Sequence, residues 1–285
     1  MDSTRHQARI AGLLYVLAGS TAPFVYLYVP DTLLVQGNAL ATADRVRASE
    51  GLLRAAIFGE LYGATLLVFA AFALYQLFKR VDPKTSTLMA AMFLVSVPIS
   101  YVNALNHIAP LILLKSPAIA GVLSPGQVAA QVMLFLRLHN YGLVVNQIFW
   151  GLWLFPIGIL VKRSGFIPGW IAYPLFFAGA GYVINSLGAL LLPPSLRGIT
   201  ENLQILGVGE VPFDFYLLIW GVRGFAADRV ATLLVVISSA IGAAALVLLF
   251  RHRIDPIQHA ALALVSLVVI LGALMRWRWT ERAGT

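Results

Sequence analysis

From Val230 to Phe250 the chain carries no charged side chain and is apolar on every face. A helix needs about 20 such residues to cross a bilayer core of about 30 Å. Inside lipid every backbone N–H and C=O must be satisfied within the spanning structure, which leaves only helices and closed barrels. Barrel strands would alternate apolar and polar over about ten residues. This stretch does not alternate, so it reads as a helix. Seven further runs have the same character: Ile10–Val29, Leu53–Phe78, Leu88–Leu114, Val128–Val161 (with its spanning part at Tyr141–Val161), Phe166–Leu192, Leu203–Val222 and Ile257–Met275. The expected fold is therefore all-α, a polytopic transmembrane helical bundle of eight spans. The composition points the same way. Only 11% of residues are charged and the mean hydropathy is +0.85, whereas a soluble domain carries about 25% charged residues. So few charges cannot coat a water-facing surface.

The chain has no cysteine, which removes disulfides, thiolate catalysis and cysteine metal sites together. Its formal net charge of +8 sits in short clusters between apolar runs, as topology signals do. No continuous basic stripe exists, so nucleic acid is not an expected partner. Arg5 and Arg9, then Lys79, Arg80 and Lys84, then Lys162 and Arg163, then Arg223 and Arg229 fall on one side, assigned to the cytoplasm. Both termini are expected there, because Arg276, Arg278 and Arg282 close the chain. Arg251 and Arg253 break the rule. The first run is too long, and lacks the small-residue cleavage site, to be a removed signal peptide, so it is read as a retained helix. The opposite side holds a longer loop, Pro30 to Gly51, in which Asp31, Asp44 and Glu50 balance Arg45 and Arg47. No soluble domain and no transporter-like internal repeat is expected. The chain divides into a membrane domain over residues 1–225, with six helices, and a C-terminal hairpin over 226–285. The expected location is the cell membrane, a bacterial inner membrane.

Ionisable groups in spanning segments are costly and face a partner or a cavity. Placed along the expected helices, Arg54 and Glu60, then Asn103, Asn106 and His107, then Arg137, His139, Asn140, Asn146 and Gln147, then Asn185 and Ser186, then Glu210 and Asp214 all fall at similar depth. They predict one polar pocket opening away from the cytoplasm. On the sixth run Glu210 and Asp214 stand four apart and share a helical face. Pro212 between them can kink the helix. Two carboxylates so placed raise each other's proton affinity, unless Arg54, Arg137 or His139 neutralises them. They can equally form a buried network that fixes helix packing. The ligand-lining set is thus Arg54, Glu60, Asn103, His107, Arg137, His139, Asn185, Glu210 and Asp214. A histidine with carboxylates also suits acid–base work, with Glu60, Glu210, Asp214 and His139 as catalytic candidates. His107 and His139 lack the close spacing of a metal motif, so no metal and no cofactor is expected.

Six segments carry a family likeness: Arg9–Tyr15, Ala48–Arg54 leading to Gly59 and Glu60, Leu138–Gly142, Arg163–Pro168, Gly179–Ser186 and Gly209–Phe213. In this order, over residues 9–223, they resemble a bacterial family of multi-pass membrane proteins known as domain of unknown function 4386. The resemblance implies a fold but no activity. Asn185 stands where that family often has Asp, and Trp153 where it often has His, which weighs against a metal or proton relay. The leading expectation is a protein that binds a small or lipid-like molecule in its polar pocket, with membrane lipids around it. The alternatives are an intramembrane enzyme using carboxylate acid–base chemistry on a lipid or isoprenoid, and a transporter.

Overall fold

The computed structural model describes residues 2–222. The last two expected spans, the 226–285 hairpin, and the charges at Arg251 and Arg253 lie outside the described residues. Within them the chain is helical, with no strand. Ten α-helices follow in order: α1 (Asp2–Gly19), α2 (Val29–Leu33), α3 (Ala39–Ala48), α4 (Glu50–Phe78), α5 (Pro83–Lys115), α6 (Pro117–Ala120), α7 (Pro125–Ser164), α8 (Ala172–Leu191), α9 (Pro194–Glu201) and α10 (Val211–Ile219). Five stretches are long and apolar enough to cross a membrane: Thr4–Leu33, α4, α5, α7 and Gly169–Leu191. The chemistry of the surface agrees. Phe58, Phe69, Phe72, Val102, Leu105 and Phe177 project outward, while Glu60, His107 and His139 are buried. That arrangement inverts a water-soluble protein and suits a lipid surround.

The helix ends follow from local chemistry. Asp82 caps α5, its carboxylate accepting from Thr85 N at 3.1 Å and from the Thr85 hydroxyl at 2.8 Å, with Pro83 next in line. Ser124 and Gln127 form a reciprocal capping box at the start of α7, again followed by proline. α7 stops at Gly165, whose φ of 67° is a left-handed conformation that a Cβ would strain. Arg163 then pairs with Asp82, tying the end of α7 to the start of α5.

Three expectations need correction. The first run is not one straight helix. α1 ends at Gly19, and Ser20 to Pro23 carry the chain into a π-helical turn, Phe24–Tyr28, before α2. Pro23 lacks an N–H to continue the ladder, and the Thr21 hydroxyl donates instead to the Gly59 carbonyl of α4 at 2.9 Å. The sixth run is not a single spanning α-helix either. It is a 3₁₀ segment, Asn202–Glu210, followed by the short α10. Gly209 presses that segment against the α8 backbone at Pro174, and Pro212 begins the new helix. Finally, the Pro30–Gly51 connection is not merely a loop. It holds α3, capped by Asn38, which packs on α7 near the N-terminal end of that helix.

That packing creates two cores. The larger joins Tyr15, Leu74, Phe78, Phe93, Trp153, Ile157, Leu175 and Phe213 between α1, α4, α5, α7, α8 and α10. The smaller joins Val25, Val29, Leu33, Val46, Leu53, Leu111, Val132 and Leu136 beneath α3. The 40 residues of α7 thread both. At 1.5 Å per residue such a helix is about 60 Å long, twice the hydrocarbon thickness. With the expected spanning part at Tyr141–Val161, its first turns and α3 would form a cap beyond the lipid core. α7 packs against both α5 and α8. Gly151 of α7 and Gly179 of α8 meet backbone to backbone.

A candidate site in a buried polar column

Along α7, His139, Asn146 and Trp153 recur at intervals of seven, two helical turns each, and all three are buried. They share one face of the helix. α5 runs antiparallel beside it and answers each level in reverse order.

At the upper level Glu60 of α4, His107 of α5 and His139 of α7 converge, each 2% exposed or less. His139 Nε2 stands 3.0 Å from Glu60 Oε2, in position to donate to it. His107 Nδ1 lies 3.7 Å from the same oxygen. The two imidazoles stack with centroids 3.4 Å apart and planes 19° from parallel. Asn103 fixes the register by donating to the His139 carbonyl at 3.0 Å, while Asn106 donates to the Asn103 side chain at 3.1 Å. Glu60 Oε1, His107 Nδ1 and His139 Nδ1 are buried without a hydrogen-bond partner. Buried polar atoms normally find one. A small half-open cleft, with room for about one water molecule, reaches His107 and Asn140 between Val29, Leu33, Leu34 and Leu136.

At the middle level the Asn146 amide donates to the Ser96 carbonyl at 3.2 Å and to the Ser100 hydroxyl at 2.8 Å, beside the proline at position 98. On the other side of α7, Asn185 of α8 donates to Gln147 at 2.7 Å. At the lower level Trp153 stacks on Phe93 with centroids 4.0 Å apart. Its Nε1 donates at 3.0 Å to the Tyr15 hydroxyl, which donates onward at 2.5 Å to Glu210 Oε2. Tyr182 and Trp153 also reach the Glu210 carboxylate. Asp214 Oδ1 is buried here without a hydrogen bond.

The single polar layer expected from the sequence is therefore a column with two carboxylate ends. Fourteen residues of α7 separate His139 from Trp153, about 21 Å along the helix. The structure brings Glu60, Asn103, His107 and His139 together. Glu210 and Asp214 stand apart from them, toward the other end, because the 3₁₀ segment carries Glu210 down beside Tyr15. Asn185 belongs to the level between. Arg54 and Arg137 are exposed rather than pocket-lining. Arg54 Nε donates to Glu50 at 2.7 Å, and Lys115 pairs with the same carboxylate at 2.7 Å. Neither arginine neutralises the Glu210–Asp214 pair, and His139 serves Glu60 instead. Sequence reasoning left Tyr15, Trp153 and Tyr182 out of the site, and kept Asn146 in the polar layer but out of the ligand-lining set. The seven-residue spacing on α7 was the available signal for two of them.

The outward apolar surface and the enclosed polar column define an integral membrane protein of the polytopic helical class. The chain belongs to the family described as Domain of unknown function (DUF4386), whose model matches residues 10–221. An uncharacterized protein of Archaeoglobus fulgidus is 36% identical to it over 80 residues, which cover 27% of this chain and 44% of that protein. The match thus spans less than half of the relative's length. No solved structure matches the chain.

Proposed function

We propose that this membrane protein binds a small or lipid-like molecule in the cleft beneath its cap, on the non-cytoplasmic side of the cell membrane. One observation carries the reading: an apolar-walled cleft ends on His107, behind which Glu60 and His139 hold unspent hydrogen-bonding capacity. Pockets that bind small molecules combine mostly apolar walls with a few convergent polar groups. The walls would take the apolar part of the molecule, and His107 with Asn140 would hold its polar end. Native mass spectrometry of the purified protein tests this. The wild type should release a discrete adduct, and Leu34→Trp, at a half-buried wall of the cleft, should lose it while retaining its melting temperature within a few degrees. Bare protein across several detergents would end the proposal.

A second reading has its own support. The 3.0 Å contact between His139 and Glu60 is a carboxylate–imidazole pair at hydrogen-bond distance, the geometry general acid–base catalysis requires. In that reading Glu60→Gln keeps the adduct but lets unreacted substrate accumulate. A purely architectural role for the column predicts instead that Glu60→Gln, Glu210→Gln and Asp214→Asn lower thermal stability and change nothing else.

A further inference from the structure

We propose that Glu60, His107 and His139 together bind one divalent transition-metal ion of the zinc class, with a coordination position left open toward the cleft. Three helices that are far apart in sequence each deliver one ligand-type side chain, and the ligand atoms lie within 4.8 Å of one another. A zinc ion takes imidazole nitrogen and carboxylate oxygen at about 2.0–2.2 Å in a tetrahedron, which sets its ligand atoms about 3.4 Å apart. The observed separations of 3.0 Å and 3.7 Å from Glu60 Oε2 bracket that value. Closing the site asks the two stacked rings to turn out of their near-parallel arrangement so that both in-plane lone pairs converge on one point, a side-chain rotation rather than a helix movement. Two histidines and one glutamate are also the ligand set of open, catalytic-type zinc sites, where the fourth position goes to water or substrate.

Two features of the surroundings favour an ion over a plain hydrogen-bond cluster. The stacked imidazoles leave a nitrogen on each ring without a partner, and Glu60 leaves an oxygen so. An ion held by Glu60 Oε2, His107 Nδ1 and His139 Nε2 would take the place of the proton between His139 and Glu60 and give the unpartnered His107 Nδ1 a partner. Asn103 meanwhile clamps the backbone of His139 and is itself held by Asn106. Such outer contacts orient metal ligands. The inference shares its site with the ligand reading and deepens it, since an open coordination position would hold the polar end of the bound molecule.

The test uses purified full-length protein, stripped with chelator and titrated with Co²⁺ alone and Zn²⁺ alone. The expected result is one ion per chain, a visible Co²⁺ ligand-field band of four- or five-coordinate type, and displacement by Zn²⁺. His107→Ala, His139→Ala and Glu60→Gln should each weaken binding by more than the roughly 10–100-fold that losing an outer partner costs. Glu60→Asp, which keeps a carboxylate, should retain the band. Glu210→Gln should bind as the wild type does. Absence of stoichiometric binding in the wild type overturns the proposal without reference to any variant. Binding that survives both histidine substitutions overturns it too, since the ion would then sit on other histidines. Native mass spectra separate the two ideas: an organic adduct without metal refutes the ion alone, and metal without adduct refutes the organic ligand alone.

Discussion

Replacing Tyr15 by Phe removes one oxygen from the lower end of the column and leaves the ring in place. That oxygen accepts from Trp153 Nε1 at 3.0 Å and donates to Glu210 Oε2 at 2.5 Å. Tyr15 is 6% exposed, so water does not replace it. Its edge contacts with Phe93 and Phe213 survive the substitution. In water-soluble proteins a hydrogen bond to a charged group is worth about 1.5–3 kcal/mol and a neutral one about 1 kcal/mol. Interhelical bonds in membranes average about 0.6 kcal/mol and reach about 1.7 kcal/mol. The membrane values govern here, because the unfolded helices also find partners in the bilayer. Two bonds then place the cost of Tyr15→Phe at about 1.2–3.4 kcal/mol. Glu210→Gln keeps an acceptor for the Tyr15 hydroxyl, so it should cost less, about 0.6 kcal/mol. In the double variant the two losses overlap and fall short of their sum by at least about 0.5 kcal/mol. The assay is reversible unfolding in mixed micelles by titration with sodium dodecyl sulfate, followed by circular dichroism. If Tyr15→Phe lies within about 0.5 kcal/mol of the wild type, the range of an ordinary surface change, the column's lower end contributes nothing and the reasoning fails. Strict additivity would refute the direct bond between the two residues.

Two further predictions address packing and pH. A Cβ on Gly151 would stand 2.5 Å from the Gly179 carbonyl oxygen and 2.7 Å from Val183, so Gly151→Ala should destabilise by about 1–3 kcal/mol in the same assay. Gly126→Ala, where nothing lies within 4 Å, should stay within about 0.5 kcal/mol. Asp82 is held below the usual carboxylate range, first by the Thr85 backbone N–H, then by the Thr85 hydroxyl and the Arg163 guanidinium. A depressed folded-state value means that its contribution is complete above about pH 4, the unfolded value, and fades as pH falls through the lower folded value. Asn caps a helix as well as Asp does. Asp82→Asn should therefore flatten the acid limb of a melting-temperature profile without unravelling α5, and an unchanged limb would remove Asp82 from its cause.

The spanning segments were legible because lipid imposes one rule on all of them: a long apolar run. α4, α5, α7 and α8 coincide with the expected runs to within a few residues for that reason. Glu60, His107 and His139 were legible as residues that do not belong in lipid. Their convergence was not, since nothing in a single sequence tells which face of α4 meets which face of α5. The depth estimate failed for Glu210 because it assumed a straight α-helix through residues 203–222. A 3₁₀ segment rises about 2.0 Å per residue rather than 1.5 Å, and a proline restarts the helix beyond it. Tyr15 escaped notice because a tyrosine in a spanning helix is usually an interfacial anchor, its hydroxyl in headgroup water. Here the hydroxyl turns inward. α3 was hidden for a different reason: its amphipathic turns need the overhang of α7 as a surface, and the length of α7 beyond the bilayer was not read as a platform.

The seven-residue polar face of α7 also bears on how the protein is made. A nascent helix leaves the translocon sideways only if lipid is a better environment than the channel, and each polar residue near its middle weighs against that. His139, Asn146 and Gln147 make α7 a poor candidate for release on its own. His139 and Asn146 find partners on Glu60 of α4 and on Ser96, Ser100 and Asn103 of α5, which are synthesised earlier, while Gln147 finds Asn185 of α8, which follows. α4 and α5 must therefore still be waiting at the exit when α7 arrives. The order of helices along the chain is then also an order of assembly, and a permuted gene that made α7 first would strand it.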